Sequence, residues 1–260
     1  MDERSDRERE FHDERFSDGV GARDQDKYYT AASAARALLD SEVDRCTRLG
    51  GVGLELGCST GENLERLLTA HAFEAHGIDI SAAAVAAAQA RMKGFSPRPA
   101  LEVMDANHLR FGDGRFDFCF GSGVLHHLTL PDAVHEVRRV LRPGGLFLFL
   151  EPLATNPIIQ AYRRLTPSAR SADETPLTVE HLSQLRAAFP GVRLTFFGFL
   201  TIACVALNRW PRLRRPALAL ASALDRAIFA LPGAWRLAWV VVIRGQRAIP
   251  LDGPGAAPPS

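Results

Sequence analysis

Residues 55–61 read ELGCSTG, and this stretch admits two readings. Gly57-Cys58-Ser59-Thr60-Gly61 satisfies G-x-S-x-G, the strained strand-to-helix turn that exposes a serine nucleophile in hydrolases. It equally describes a loop of small residues, where backbone N–H groups and a helix N-terminus come close to a bound ligand. A nucleophile elbow draws part of its oxyanion hole from a loop after an earlier strand, and no apolar run before Val52 supplies one. Asp105 and His126 follow Ser59 in the order a triad needs, an order that a chain of this size produces by chance. A serine hydrolase using Ser59 is the alternative; the ligand loop accounts for more of the surrounding residues.

Working outward, the apolar run 52–56 reads as a strand that ends in the loop, 62–71 as a helix, and 74–80 as a second strand that carries Asp79 at its end. Ser81 is placed to cap an Ala-rich helix running to about residue 93. Strands are expected over 100–104 and 116–121. Pro131 and Asp132 open a helix running through 141, and Pro143-Gly144-Gly145 separates it from a fifth strand over 146–150. Strands alternating with helices of this length imply parallel βαβ units in a doubly wound α/β sheet. Beyond Glu151 the chain is rich in Pro, Thr and Ser, a long connection or lid with a short helix. A helix over 178–189 and strands over 193–199 and 239–244 complete the pattern. Upstream, an Ala/Leu-rich helix is expected from residue 28.

The 260 residues suffice for one large core, and the net charge of +1 gives no electrostatic reason for a nucleic-acid partner. Residues 1–27 are densely charged in both signs and lack an apolar signal region, so they are expected to form an arm or a short capping helix. Cys46, Cys58, Cys119 and Cys204 are scattered, with no C-x-x-C pair, which favours reduced thiols and a cytoplasmic location. No H-E-x-x-H pattern or acidic cluster of metal-ligand spacing is present, so no metal is expected.

The glycine spacing of the loop, with Glu55 before it, does not fit the G-x-G-x-x-G dinucleotide fingerprint. The ordered motifs VGLELGCSTG, HGIDIS, MDANHLRF with GRFDFCF, and LRPGG resemble those of class I S-adenosylmethionine-dependent methyltransferases, in particular the methyltransferase type 11 group, which is similar to the ubiquinone/menaquinone-biosynthesis C-methyltransferases. The resemblance covers about residues 50–150. It implies S-adenosylmethionine as cofactor and a Rossmann-like sheet of seven strands, mostly parallel with the last antiparallel. An N-terminal helical cap and a C-terminal hydrophobic insertion would flank a methyltransferase domain over 28–250, with its core at 50–150, a lid and acceptor region at 151–236, and a tail at 251–260. Asp79 is placed to accept the ribose hydroxyls, as the corresponding acid does in dinucleotide folds. The resemblance further implies that Asp105 and Ala106 bracket the adenine, that Gly57, Cys58, Ser59 and Gly61 line the methionine portion, and that Glu55 holds the loop and the nearby ammonium. Ile80 and Ser122 complete the expected cofactor set. Ser59 stands where the family commonly has glycine, so its backbone angle matters.

On the acceptor side, His126 in GSGVLHHL lies at the carboxyl edge of the fourth strand. It is the candidate base, with Tyr28 or Tyr29 as partner by resemblance to phosphoethanolamine-type enzymes. From residue 200 onward eight arginines face only two acids, and the apolar pieces there are too short and too broken to span a bilayer. In that stretch Leu220, Leu224, Ile228 and Leu231 share a helical face, while Ser222, Asp225 and Arg226 fall on the other. It either packs on the core or, in the sharper reading, lines a greasy acceptor pocket or makes peripheral membrane contact through 200–236. The expected activity is methyl transfer to a small, hydrophobic acceptor; a silent cofactor-binding protein is the non-enzymatic alternative.

Overall fold

The computed structural model describes residues 3–17, 31–166 and 174–249. Helix α1 (Glu3–Ser17) falls in the expected arm. Helix α2 (Ser33–Arg48) belongs to the helix expected from residue 28, but Tyr28 and Tyr29 lie outside the described residues. Then β1 (Val52–Leu56), α3 (Glu62–Ala70), β2 (Glu74–Asp79), α4 (Ala82–Arg91), β3 (Ala100–Val103), β4 (Phe116–Ser122), α5 (Leu130–Val140) and β5 (Leu141–Pro152) alternate. After β5 come α6 (Pro157–Leu165), α7 (Val179–Ala188), β6 (Arg193–Phe197), α8 (Pro211–Phe229) and β7 (Val240–Gln246).

The seven strands lie in the order β3-β2-β1-β4-β5-β7-β6. The first five pair in parallel, and β7 runs antiparallel between β5 and β6. The direction of winding reverses between β1 and β4, so a crevice opens at the carboxyl ends of β1, β2 and β4, where ligands bind in such sheets. Both faces of the sheet are buried, as its near-continuous apolar strands require. Leu54, Leu56, Phe147, Phe149 and Ile243 pack with Val137 of α5 and Leu182 and Leu185 of α7. On the other face Phe118, Phe120, Leu148 and Val242 pack with Leu39 of α2, Leu67 of α3 and Val85 of α4.

Ser81 caps α4 as expected, its hydroxyl accepting the Ala84 N–H at 3.1 Å. Two expectations are corrected. The Pro143-Gly144-Gly145 turn does not separate helix from strand: β5 begins at Leu141, paired with Phe116, and the turn is an irregularity before Leu146 pairs with Phe118. Leu141 is fully buried, so the chain gains by entering the sheet at once.

The second correction concerns α8. Leu220 and Leu224, placed on the packing face, are 63 % and 46 % exposed, whereas Ala221 and Asp225 are buried. Asp225, assigned to the polar face, turns inward because the bend after β6 needs an acceptor. It takes the N–H groups of Phe199 (3.1 Å), Leu200 (2.8 Å) and Thr201 (3.4 Å), and the Thr201 hydroxyl at 3.2 Å. Asp225→Ala strips these donors of their acceptor and is expected to cost about 3 kcal/mol or more in denaturant unfolding, with Asp225→Asn costing less. Equal stability of Asp225→Ala and the parent would refute this role.

Candidate active site

Two acids tie together the loops at the carboxyl edge. Asp79, at the end of β2, accepts the Ser59 N–H at Oδ2 and the Ser81 N–H at Oδ1, both at 2.9 Å. Burial pushes its carboxyl up, and these two donors pull it back down. Asp105, beyond β3, accepts the Asn107 N–H at 2.8 Å and the Ser5 hydroxyl at 2.7 Å. Each carboxylate oxygen retains a lone pair for one further donor.

The loop itself turns through left-handed backbone. Gly57 has φ 66° and Gly61 φ 80°, and between them Ser59, at φ 49°, is the one non-glycine with positive φ among the described residues. A Cβ on Gly57 would lie 3.0 Å from Val124 Cγ2, and one on Gly61 3.1 Å from Ala88 Cβ. Ser59 thus accepts strain in exchange for aiming its N–H at Asp79. Its neighbour Cys58 points into the core, where burial pushes the thiol well above its ordinary range. Only the backbone of Cys58 belongs to the loop.

Glu55 differs from the other acids. Its Oε1 accepts from Asn63 Nδ2 at 2.7 Å, and Asn63 Oδ1 accepts in turn from Arg36 Nη2 at 3.1 Å. Its Oε2 is buried with no hydrogen-bond partner among the described residues. Burial pushes the carboxyl up to about 8, against the opposing pull of Asn63 and Arg36. Ile80 and Ser122, at the ends of β2 and β4, are half-buried, while Ala106 is buried beside Asp105.

His126 lies in a helical turn (Leu125–His127) after β4. The fully buried Glu151, on β5, accepts the Val124 and Leu125 N–H groups at 3.0 and 2.9 Å through Oε1. Its Oε2 lies 2.8 Å from His126 Nδ1, and His126 Nε2 lies 4.0 Å from Glu174 Oε1. One carboxylate therefore builds the turn and orients the imidazole on it. A proton held on Nδ1 by Glu151 leaves Nε2 as the acceptor. The triad order Asp105, His126, Ser59 is not assembled: His126 is committed to Glu151, and Asp105 to Ser5 and Asn107. The hydrolase alternative is overturned on that geometry.

Sequence reasoning missed Glu151, although an acid ending a parallel strand at the carboxyl edge is the same signal that identified Asp79. It also missed what α1 brings. Ser5 reaches Asp105, and Asp13 accepts the Ser81 hydroxyl and, at 3.4 Å, the Ala83 N–H. Glu8, itself buried, faces His127 at 3.0 Å and His12 at 3.5 Å. Ser5, Glu8 and His12 recur at i, i+3 and i+7, one helical face, which is the signal present in the sequence.

Residues 54–145 match a family model described as a methyltransferase domain. The chain is 38 % identical over 103 residues to the 27-O-demethylrifamycin SV methyltransferase of Amycolatopsis mediterranei, covering 38 % of this chain and 37 % of that protein. It is 32 % identical over 103 residues to the ubiquinone/menaquinone biosynthesis C-methyltransferase of Bartonella henselae, covering 38 % and 40 % respectively. The match thus spans about two fifths of each of these relatives. The methyltransferase in complex with the Haloferax volcanii Trm112 activator shares the fold, with a TM-score of 0.62 at 17 % identity over 91 % of this chain and 97 % of that one.

Ser59→Gly is expected to stabilise the fold by about 0.5 kcal/mol, the relieved left-handed strain slightly exceeding glycine's extra unfolded-state entropy. A lower unfolding midpoint for the variant would contradict the loop geometry.

Proposed function

We propose that this chain, whose residues 54–145 match a methyltransferase-domain model, moves a methyl group from S-adenosylmethionine to a small, hydrophobic acceptor. The observation that carries the reading is Glu55 Oε2, a buried carboxylate oxygen left without a donor inside a loop of left-handed small residues. Such an oxygen is costly unless the acid is neutral or a cation meets it. The cofactor's ammonium is that cation. Asp79 takes the ribose hydroxyls on its remaining lone pairs, and Asp105 takes the adenine amino group, with Ala106 and Ile80 flanking. The backbone of Gly57, Cys58, Ser59 and Gly61 lines the methionine portion, with Ser122 at the end of β4.

When bound, the cofactor supplies an electrophilic methyl group on a sulfonium, so the protein's work is orientation and, for a protonated acceptor, removal of a proton. His126 Nε2 performs that removal, with Glu151 as the positioning residue that fixes the tautomer and disperses the imidazolium charge. Tyr28 and Tyr29, outside the described residues, complete the proposed catalytic set. A hydrophobic acceptor fits the relatives, one named for a demethylrifamycin and another for ubiquinone/menaquinone biosynthesis. The four cysteines are free, buried thiols, which supports a cytoplasmic location.

The exposed face of α8 favours a lipid surface as the route for such acceptors. Leu213, Leu220 and Leu224, 60 %, 63 % and 46 % exposed, fall within about 40° of one another at 100° per residue. The exposed Arg212 flanks that stripe at about 100°, while Arg215 and Arg226 fall on the far face of the helix, and a basic residue beside an apolar stripe suits an anionic bilayer surface. The segment joins β6 to β7 at the carboxyl edge, on the side of the site. No helix of the described residues is long and apolar enough to cross a membrane.

Glu55 gives the cofactor reading a proton signature. The acid is protonated in the free protein below about pH 8, so pairing it with an ammonium expels that proton, and affinity falls as pH drops below 8. Calorimetry with S-adenosylhomocysteine at pH 7, in two buffers of different ionisation enthalpy, is expected to read a net release approaching one proton. Glu55→Gln abolishes the release and Asp79→Ala abolishes binding. Binding without proton release would remove Glu55 from the site, and no binding would remove the cofactor.

His126→Ala is expected to retain S-adenosylhomocysteine affinity and lose turnover by about 100-fold or more, measured as radiolabelled methyl transfer into apolar extracts. Undiminished turnover rejects the base; binding with no transfer into any fraction by the parent protein favours the silent alternative. In co-sedimentation with phosphatidylglycerol vesicles at low salt, the parent protein is expected to pellet and the Leu220→Asp, Leu224→Asp double variant to stay in solution. A parent protein that stays in solution ends the lipid reading.

A further inference from the structure

The polar face of α1 meets the turn after β4 in an arrangement that methyl transfer does not use. Glu8 and His12 stand four residues apart on one side of the helix, and His127 faces them from the turn. Glu8 Oε2 lies 3.0 Å from His127 Nδ1 and 3.5 Å from His12 Nε2. One ligand atom from each of the three residues lies within 4.8 Å of the other two. All three are largely sheltered: Glu8 is buried, and the His12 and His127 side chains are only 19 % and 17 % exposed.

The geometry points to a divalent metal site of the zinc class, with Glu8, His12 and His127 as its three protein ligands. Two imidazoles and one carboxylate form a donor set that zinc accepts, with a fourth position left for water. Tetrahedral bonds of about 2.1 Å put neighbouring ligand atoms roughly 3.4 Å apart, so the 3.0 and 3.5 Å separations here already approximate a chelating set. Zinc takes the lone pairs of neutral imidazoles and of the carboxylate, displacing any proton these atoms hold or share, so binding requires no oxidant, reductant or other co-reactant. Two ligands come from α1 and one from the body of the fold, so the ion fastens the helix. The same helix carries Ser5 on Asp105 and Asp13 on Ser81. Zinc at this point therefore clamps α1 over the loops that hold Asp79 and Asp105.

The test needs neither cofactor nor acceptor, so it stands or falls independently of methyl transfer. The full chain, stripped with EDTA and titrated with zinc chloride alone, is expected to bind one equivalent by equilibrium dialysis and elemental analysis. Cobalt(II) in its place is expected to give visible d–d bands. His12→Ala and Glu8→Gln each weaken zinc by about 100-fold or more, while circular dichroism and thermal unfolding of the metal-free variants show the sheet domain intact. In the parent protein zinc slows tryptic cleavage at the α1 arginines, and in His12→Ala it does not. A dissociation constant weaker than about 100 µM overturns the site. So does unchanged zinc binding in the Glu8→Gln, His12→Ala double variant, which assigns the ion to other residues. Zinc bound through these residues with cleavage of α1 unaffected overturns the clamp.

Discussion

A carboxylate taken out of water must be met by donors, and the carboxyl edge of this sheet is assembled by meeting that demand with the chain's own amides. Asp79 takes Ser59 and Ser81, Asp105 takes Asn107, Glu151 takes Val124 and Leu125, and Asp225 takes Phe199, Leu200 and Thr201. At the opposite edge Asp117 receives the Val52 N–H at 2.6 Å, fixing the entry to β1. Each pairing satisfies a buried or half-buried acid and an otherwise orphaned amide at once. Removing the acid leaves the amides unmet, at about 1–3 kcal/mol each where water cannot reach them. Loops held this way need no bulky side chains to keep their shape. They can therefore stay thin, and the backbone between Gly57 and Gly61 can close on a ligand.

Glu55 departs from this rule, and the departure has chemical meaning. It is buried as deeply as the others but has a side-chain amide on one oxygen and nothing on the second. The free protein compensates by holding the proton, which is why burial raises this carboxyl so far. A neutral acid in a dry loop costs little, and it becomes a strong partner once a cation arrives to replace the proton. Glu151 is the contrasting case. Three backbone N–H groups and an imidazole converge on it, so it is fully subscribed and orients His126.

The sheet was legible in the sequence because its strands are buried on both faces and its helices are punctuated by caps. Apolar runs ending at Gly57 and Asp79, and the Pro143-Gly144-Gly145 turn after a helical stretch, mark the βαβ units. Asp79 and Glu55 stand out in the sequence as acids at or near strand ends, Glu55 directly before the glycine-rich turn. Register was less accessible: local chemistry predicts a stop at Pro143-Gly144-Gly145, yet Leu141 already pairs with Phe116 because a fully buried leucine outweighs the turn signal. On α8, hydropathy assigned the leucines inward and Asp225 outward. The bend after β6 needed an acceptor more than the core needed another leucine, and that requirement lies some twenty-five residues away in sequence. Periodicity reports which residues share a face; only the neighbouring elements decide which face is turned inward.

The N-terminal helix poses the same difficulty in a stronger form. Its composition is so polar that no apolar stripe could dock it, so composition leaves an arm and a short capping helix both open. It docks through Ser5, Glu8, His12 and Asp13, all polar, onto side chains and amides of the loops that follow β2, β3 and β4. A helix attached by apolar area would leave only by exposing that area to water. One attached by hydrogen bonds can exchange them for water or for a ligand's donors at little net cost, since each exchange is nearly balanced. Asp105 illustrates the consequence, because the oxygen that accepts the Ser5 hydroxyl belongs to the carboxylate proposed to receive the adenine amino group. The polar contacts that seat α1 on these loops thus come without the apolar stripe by which a helix is ordinarily placed from its sequence.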